Sequence, residues 1–247
     1  MVRHYIIVAS AYSIGKRIAL DYCSSSKIEM DKIDKDVEYI LEKYGKDAPL
    51  AKHFILTSSA DWSSVALSDH FFDDVELMKN KEEFTEILLK DKELSGVDVA
   101  RYILTKIPCT HLKLEKLVYM CYADYLCKED TKLFKDVIYA YKLGPIVDSV
   151  YKKYKKNGAD YIDNEKTYNE ISKKMPIRSR VISSHEGLKK LISIDRTLQK
   201  YGDFSASKLV DLTHKELSPW FKTKENVESN DLITDDLIKE YHKYETL

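Results

Sequence analysis

The chain has 247 residues, long enough for one large domain or two small ones with real cores, and the sequence favours two. Hydrophobic residues make up 44% and charged residues 33%, which excludes a disordered tail, and 40 Lys and Arg balance 41 Asp and Glu to a formal net charge of -1. That balance argues against broad nucleic-acid binding, which needs a concentrated basic face, although "YKKYKK" is a local basic patch.

The β-branched run from Val2 to Val8 predicts a buried strand and not a membrane span, since Arg3 and His4 interrupt the short apolar stretch. From Asp31 to Tyr44 the apolar residues Ile33, Val37, Ile40, Leu41 and Tyr44 recur at helical spacing, with Gly45 placed to end the helix. "HFILT", His53 to Thr57, reads as a second strand. "SSADWSSVALSDHFFDD" mixes small polar residues, acids and aromatics without a period, and is expected to be an irregular, functional loop. Val75 to Met78 suggests a further strand and Lys81 to Lys90 a helix, with a domain boundary between Glu93 and Gly96. The expected organisation is therefore an α/β domain over 1–94 and a helical domain over 95–247, an α+β chain.

In the second half, "GVDVARYILTK" puts Val99, Tyr102 and Ile103 on one helix face, and Pro108 interrupts. Thr110 can cap the next helix, whose stripe is Leu114, Leu117, Val118, Cys121 and Tyr125. "VIYAY" alternates as a short strand, and Gly144-Pro145 is expected to turn it into a helix from about Val147. Between Asn157 and Ser183 the chain is polar and aperiodic, a surface excursion. Helical spacing resumes through Leu188, Leu191, Ile192, Asp195 and Leu198, with Gly202 as stop. Ser205, Ser218-Pro219 and Thr234 are capping signals for the remaining helices.

The four cysteines, Cys23, Cys109, Cys121 and Cys127, show no CxxC spacing, and the opening does not read as a secretory leader. Reduced thiols in a cytoplasmic protein are expected, with Cys121 and Cys127 packing in a helix rather than binding metal.

Four segments of the second half, "VARYILTK", "THLKLEKLVYMCYADYL", "AYKLGPIVDSVYKKYKKNG" and "KYGDFSASKLVDLTHKELSPW", with the closing "LITDDLIKEYH", resemble the Panacea antitoxin domain, also met as SocA-like and phage-associated GepA-like proteins. They follow the family's order and spacing from Val97 to His242. The family usually has Tyr-Gly-Pro at the corner; Leu143-Gly144-Pro145 keeps the turn and loses an aromatic. The resemblance implies a mostly helical domain that neutralises a cognate toxin by binding it, with no catalytic residues and no cofactor. It leaves self-association open and covers nothing before about Glu93.

The signature positions are Gly144, Pro145, His214 and Pro219. Candidate partner contacts are Tyr119, Tyr122, Tyr151, Tyr154 and Trp220, because tyrosine and tryptophan combine large contact area with a polar tip. Each has a structural alternative: a helical core for the strip around Tyr119 and Tyr122, a solvated helix face for Tyr151 and Tyr154, and packing on a neighbouring helix for Trp220. His214 is read as a structural hydrogen-bonding residue near a helix end rather than an acid or base. Asp61, Asp69, His70, Asp73 and Asp74 raise a hydrolase or nucleotide-acting alternative, but their spacing matches no metal motif, and no metal site is expected. P-loop, GxGxxG, GxSxG and HExxH motifs are absent. A DNA-binding regulator or a proteolytic adaptor is a third class.

Overall fold

The computed structural model describes residues 1–163, 176–225 and 231–246. The chain divides into two units, one formed by Met1–Glu93 with Ser183–His185, the other by Leu94–Ile182 with Glu186–Leu247. Together they make an α+β protein, and no described helix is long and apolar enough to cross a membrane.

In the first unit the β-branched opening forms β1 (Val2–Ala11), which turns through Gly15, at φ 67°, into β2 (Lys16–Ser24). The expected helix is α1 (Met30–Tyr44), ending at Gly45 with φ 120°. Then come β3 (Ala51–Thr57), α2 (Trp62–Ser68), a short 3-10 turn at His70–Phe72, β4 (Val75–Leu77) and α3 (Lys81–Asp91). The sheet order is β3-β1-β2-β4, with only the β2 and β4 pair parallel. Because side chains alternate across a strand, β1 feeds two cores. Ile7, Ala9 and Ala11 pack with Ile33 and Ile40 of α1 and Phe84 and Leu88 of α3, while Ile6 and Val8 pack with Val65 and Phe72 on the other face.

The first unit departs from expectation in two places. Lys16–Ser24 has no counterpart in the sequence reading, and the stretch expected to be irregular contains α2. The small and acidic residues of that stretch build local structure: the Asp69 carboxylate accepts from Phe71 N at 2.8 Å and starts the 3-10 turn.

The second unit is arranged around α5 (His111–Glu129), capped by Thr110 and preceded by α4 (Gly96–Leu104) with a Ser95/Asp98 capping box. Leu114 to Ala123 are buried without a break, Glu115 and Lys116 included, so α5 is a central helix with neighbours on all sides rather than a one-stripe helix. Around it lie the hairpin β5 (Ile138–Tyr141) and β6 (Gly144–Val147), then α6 (Asp148–Tyr154), α7 (Ile177–Ile182), α8 (Gly187–Tyr201), α9 (Ala206–Thr213), α10 (Pro219–Glu225) and α11 (Asp235–Tyr241). The Gly-Pro corner thus opens a second strand, and the helix follows only at Asp148. In the span expected to be a polar excursion, Ile177–Ile182 is helical, and 164–175 lie outside the described residues. On α8 the buried face is Leu191, Ile194, Leu198 and Tyr201, whereas Leu188 and Ile192 point outward, contrary to the expected stripe.

Candidate partner-binding face

The β5–β6 hairpin is held from below by two consecutive residues of α5. Lys116 Nζ donates to Pro145 O at 2.6 Å, and Glu115 Oε2 accepts from Val147 N at 2.9 Å. Burial pulls the Lys116 ammonium down to about 7, against the opposing pull of Glu115 and Glu245. Gly144 sits above this clamp at φ 101°, and a Cβ there would lie 2.8 Å from Thr213 Oγ1 and 2.9 Å from Lys116 Cε. Glycine is needed twice over, for the backbone angle and for the space.

With the hairpin fixed, its tip and flank carry a line of aromatic rings. Tyr151 of α6 lies between His111, 5.4 Å away centre to centre, and Tyr141 of β5, 5.2 Å away in an edge-to-face contact. Tyr141 continues to Tyr139 at 6.4 Å. On the other side of the turn, the Trp220 indole N–H donates to Tyr141 O at 2.8 Å, and its ring lies 3.8 Å from that of His214. His214 caps α9, with Nδ1 2.8 Å from Val210 O and Nε2 3.3 Å from Lys142 O. Leu143 stands at the tip, 54% exposed, and Tyr141 is 40% exposed. Tyr161, bridged to Thr110 beside His111, is 69% exposed. Lys142, Lys152, Lys155 and Lys156 are exposed around these rings, with Lys152 bonded to Asp148 and Lys155 over the Tyr151 ring.

The candidate contacts therefore separate. Tyr151 and Trp220 are half-buried members of the aromatic line. Tyr119, Tyr122 and Tyr154 are buried, which takes them off any open face. Tyr119 donates to Glu245 Oε1 at 2.6 Å and Tyr122 to Asp235 Oδ1 at 2.7 Å, and burial raises both phenols further from ionisation. Pro145 and Pro219 are buried, the latter after Ser218, whose hydroxyl accepts from Phe221 N at 3.1 Å. Tyr141 and the supporting Glu115 and Lys116 are not singled out by the sequence; for Tyr141 the alternation of "VIYAY" is the one signal that could have found it.

Beneath the face, His242 bridges two acids, with Nε2 2.8 Å from Asp124 and Nδ1 2.8 Å from Glu245. Burial draws its imidazolium down, but the hydrogen bonds to Asp124 and Glu245 outweigh that and hold it at about 9. Among the described residues, Asp61, Asp69, His70, Asp73 and Asp74 form no cluster of three that could hold a metal ion. Asp74 pairs with Arg17, His70 with Asp73 on the surface at 3.1 Å, and Asp61 with Ser59 at 2.8 Å.

Residues 114–221 match the family described as Antitoxin SocA-like, Panacea domain. The C-terminal unit carries a Panacea domain. A curated relative is Antitoxin SocA of Caulobacter vibrioides (strain NA1000 / CB15N), 33% identical over 132 residues. The alignment takes in 49% of this chain and 66% of that antitoxin, just under two thirds of its length. No solved structure matches the chain. Within the matched span of the Panacea domain lie the hairpin, Tyr151, His214 and Trp220, together with the Glu115 and Lys116 clamp.

Proposed function

We propose that the chain is an antitoxin-type protein that neutralises a toxin protein by direct, one-to-one binding, and that the aromatic line of the Panacea domain is the contact surface. The observation that carries this reading is a run of partly exposed rings in mutual contact along the hairpin, with Trp220 and His214 hydrogen-bonded to its backbone, mostly inside the span shared with an antitoxin family. Rigid aromatic anchors lose little conformational entropy on binding, and Trp and Tyr are enriched among residues that dominate interface energies. The surrounding lysines favour a partner with an acidic rim around an apolar patch. Inhibition is steric and needs no turnover by this chain. The N-terminal unit, outside the matched span, is assigned to partner selection.

The test is growth of cells expressing the neighbouring reading frame, alone and with this protein. Growth should be restored by the wild type, by Asp73→Asn and by Asp74→Asn, and should fail with Tyr151→Ala/Trp220→Ala. Full rescue by that folded double variant would contradict the assigned surface, and absence of rescue by the wild type would contradict the antitoxin reading.

A further inference from the structure

On the sheet face of the first unit that carries Ile6 and Val8, β1 and β2 set His4 directly opposite Cys23, and Asp21 lies two residues before Cys23 on the same strand. Residues two apart on a strand share a face. One ligand atom from each of His4, Asp21 and Cys23 falls within 4.8 Å of the other two. His4 is fully buried, the Asp21 side chain is 6% exposed, and Cys23 is at the surface.

The hydrogen bonds set the tautomer of His4. Thr57 Oγ1 gives its proton to Ser59 O at 2.6 Å, so it can only accept from His4 Nε2, 3.0 Å away. Ser59 O, 3.1 Å from the same nitrogen, is also an acceptor. Nε2 therefore carries a proton, and in the neutral ring Nδ1 presents a lone pair to Asp21 Oδ2 at 2.8 Å. A lone pair facing a carboxylate requires a cation between them. A proton would satisfy Nδ1 and Oδ2 alone. It would leave Asp21 Oδ1, buried and without a hydrogen-bond partner, unexplained.

We propose that the N-terminal unit binds one zinc ion through His4 Nδ1, the Asp21 carboxylate and Cys23 Sγ. Imidazole, carboxylate and thiolate are the zinc donors, and three protein ligands leave a coordination position for water or a partner's side chain on the exposed side, where Cys23 meets solvent. Fixing of the ligating histidine by an N–H bond from its other nitrogen to a carbonyl or hydroxyl is the outer support such sites use. In this unit Thr57 and Ser59 supply it.

The full-length protein, stripped with a chelator, is titrated with zinc against a chromophoric competitor and separately loaded with cobalt(II). One zinc per chain is expected, with a thiolate-to-cobalt charge-transfer band in the near ultraviolet. Cys23→Ser, at an exposed position that preserves the fold, should abolish the band. Cys23→Ser and Asp21→Asn should each weaken zinc binding about tenfold or more, since loss of even an outer support costs about 10–100-fold. Cys127→Ser, the other exposed cysteine, should change neither result. The proposal is overturned if the chain takes up no stoichiometric zinc, if both Cys23→Ser and Asp21→Asn bind it as the wild type does, or if the band disappears with Cys127 instead.

Discussion

Gly144 shows how one residue holds the candidate face in place. Any other residue at φ 101° suffers backbone strain, and its Cβ meets Thr213 and Lys116. Gly144→Val should lower the stability of the C-terminal unit by about 1–3 kcal/mol, read as a shifted denaturant midpoint. His242 is a second such residue. Its folded pKa of about 9 stands above the ordinary 6.5, so its contribution is fully present below about pH 6.5 and is lost as pH rises through about 9. Lys116 runs the other way, because a folded value of about 7 against 10.5 adds stability as pH rises across that interval. The two overlap, so the quantity to measure is the stability difference between wild type and His242→Gln. It should be about 3–5 kcal/mol near neutral pH, as for a broken buried pair, and should shrink from pH 6.5 to 9. A pH-independent difference would show that the His242 imidazolium does not hold Asp124 and Glu245 together.

At the scale of elements, the hairpin and α6 present rings while α5 supports them, and truncations should divide accordingly. Tyr151→Ala should weaken a toxin complex by about 1–3 kcal/mol with little effect on melting, and Trp220→Ala should weaken it as much while also lowering the melting temperature, because its ring packs on the C-terminal core and its N–H bonds Tyr141 O. Tyr119→Phe should do the reverse, costing about 1–3 kcal/mol of stability by removing one of the two hydrogen bonds to the buried Glu245 Oε1, the other coming from His242, with partner affinity unchanged. Calorimetric titration and thermal melts of the same variants separate the two. Much of this was legible in the sequence: caps at Thr110, Ser205, Ser218 and Thr234 and the apolar run of β1 all appear as expected. The errors have physical causes. β2 mixes charged and polar residues because one of its faces carries Asp21 and Cys23, which hides its alternation. α2 is rich in serine, a weak helix former, and is held by packing of Val65. Tyr119 and Tyr122 resembled interface residues because nothing local distinguishes a helix buried on one side from one buried on all sides. The aromatic line itself brings together residues far apart in sequence, His111 to Trp220, which only the folded hairpin unites.

For the whole molecule, a fragment starting at Leu94 should unfold cooperatively by itself, since the C-terminal unit has its own continuous core. Lack of a cooperative melt would contradict its independence. In the proposed function the chain acts by occupying a toxin, one molecule for one, through Tyr151 and Trp220. The most direct measurement is a titration of purified toxin from the neighbouring reading frame, following complex formation and residual toxin activity together. The account predicts that activity falls linearly and vanishes at equivalence, that Asp73→Asn and Asp74→Asn behave as the wild type, and that Tyr151→Ala/Trp220→Ala shifts the curve to much higher concentration. Full inactivation at a small fraction of equivalence, abolished by one acid-to-amide change in a folded protein, would contradict it.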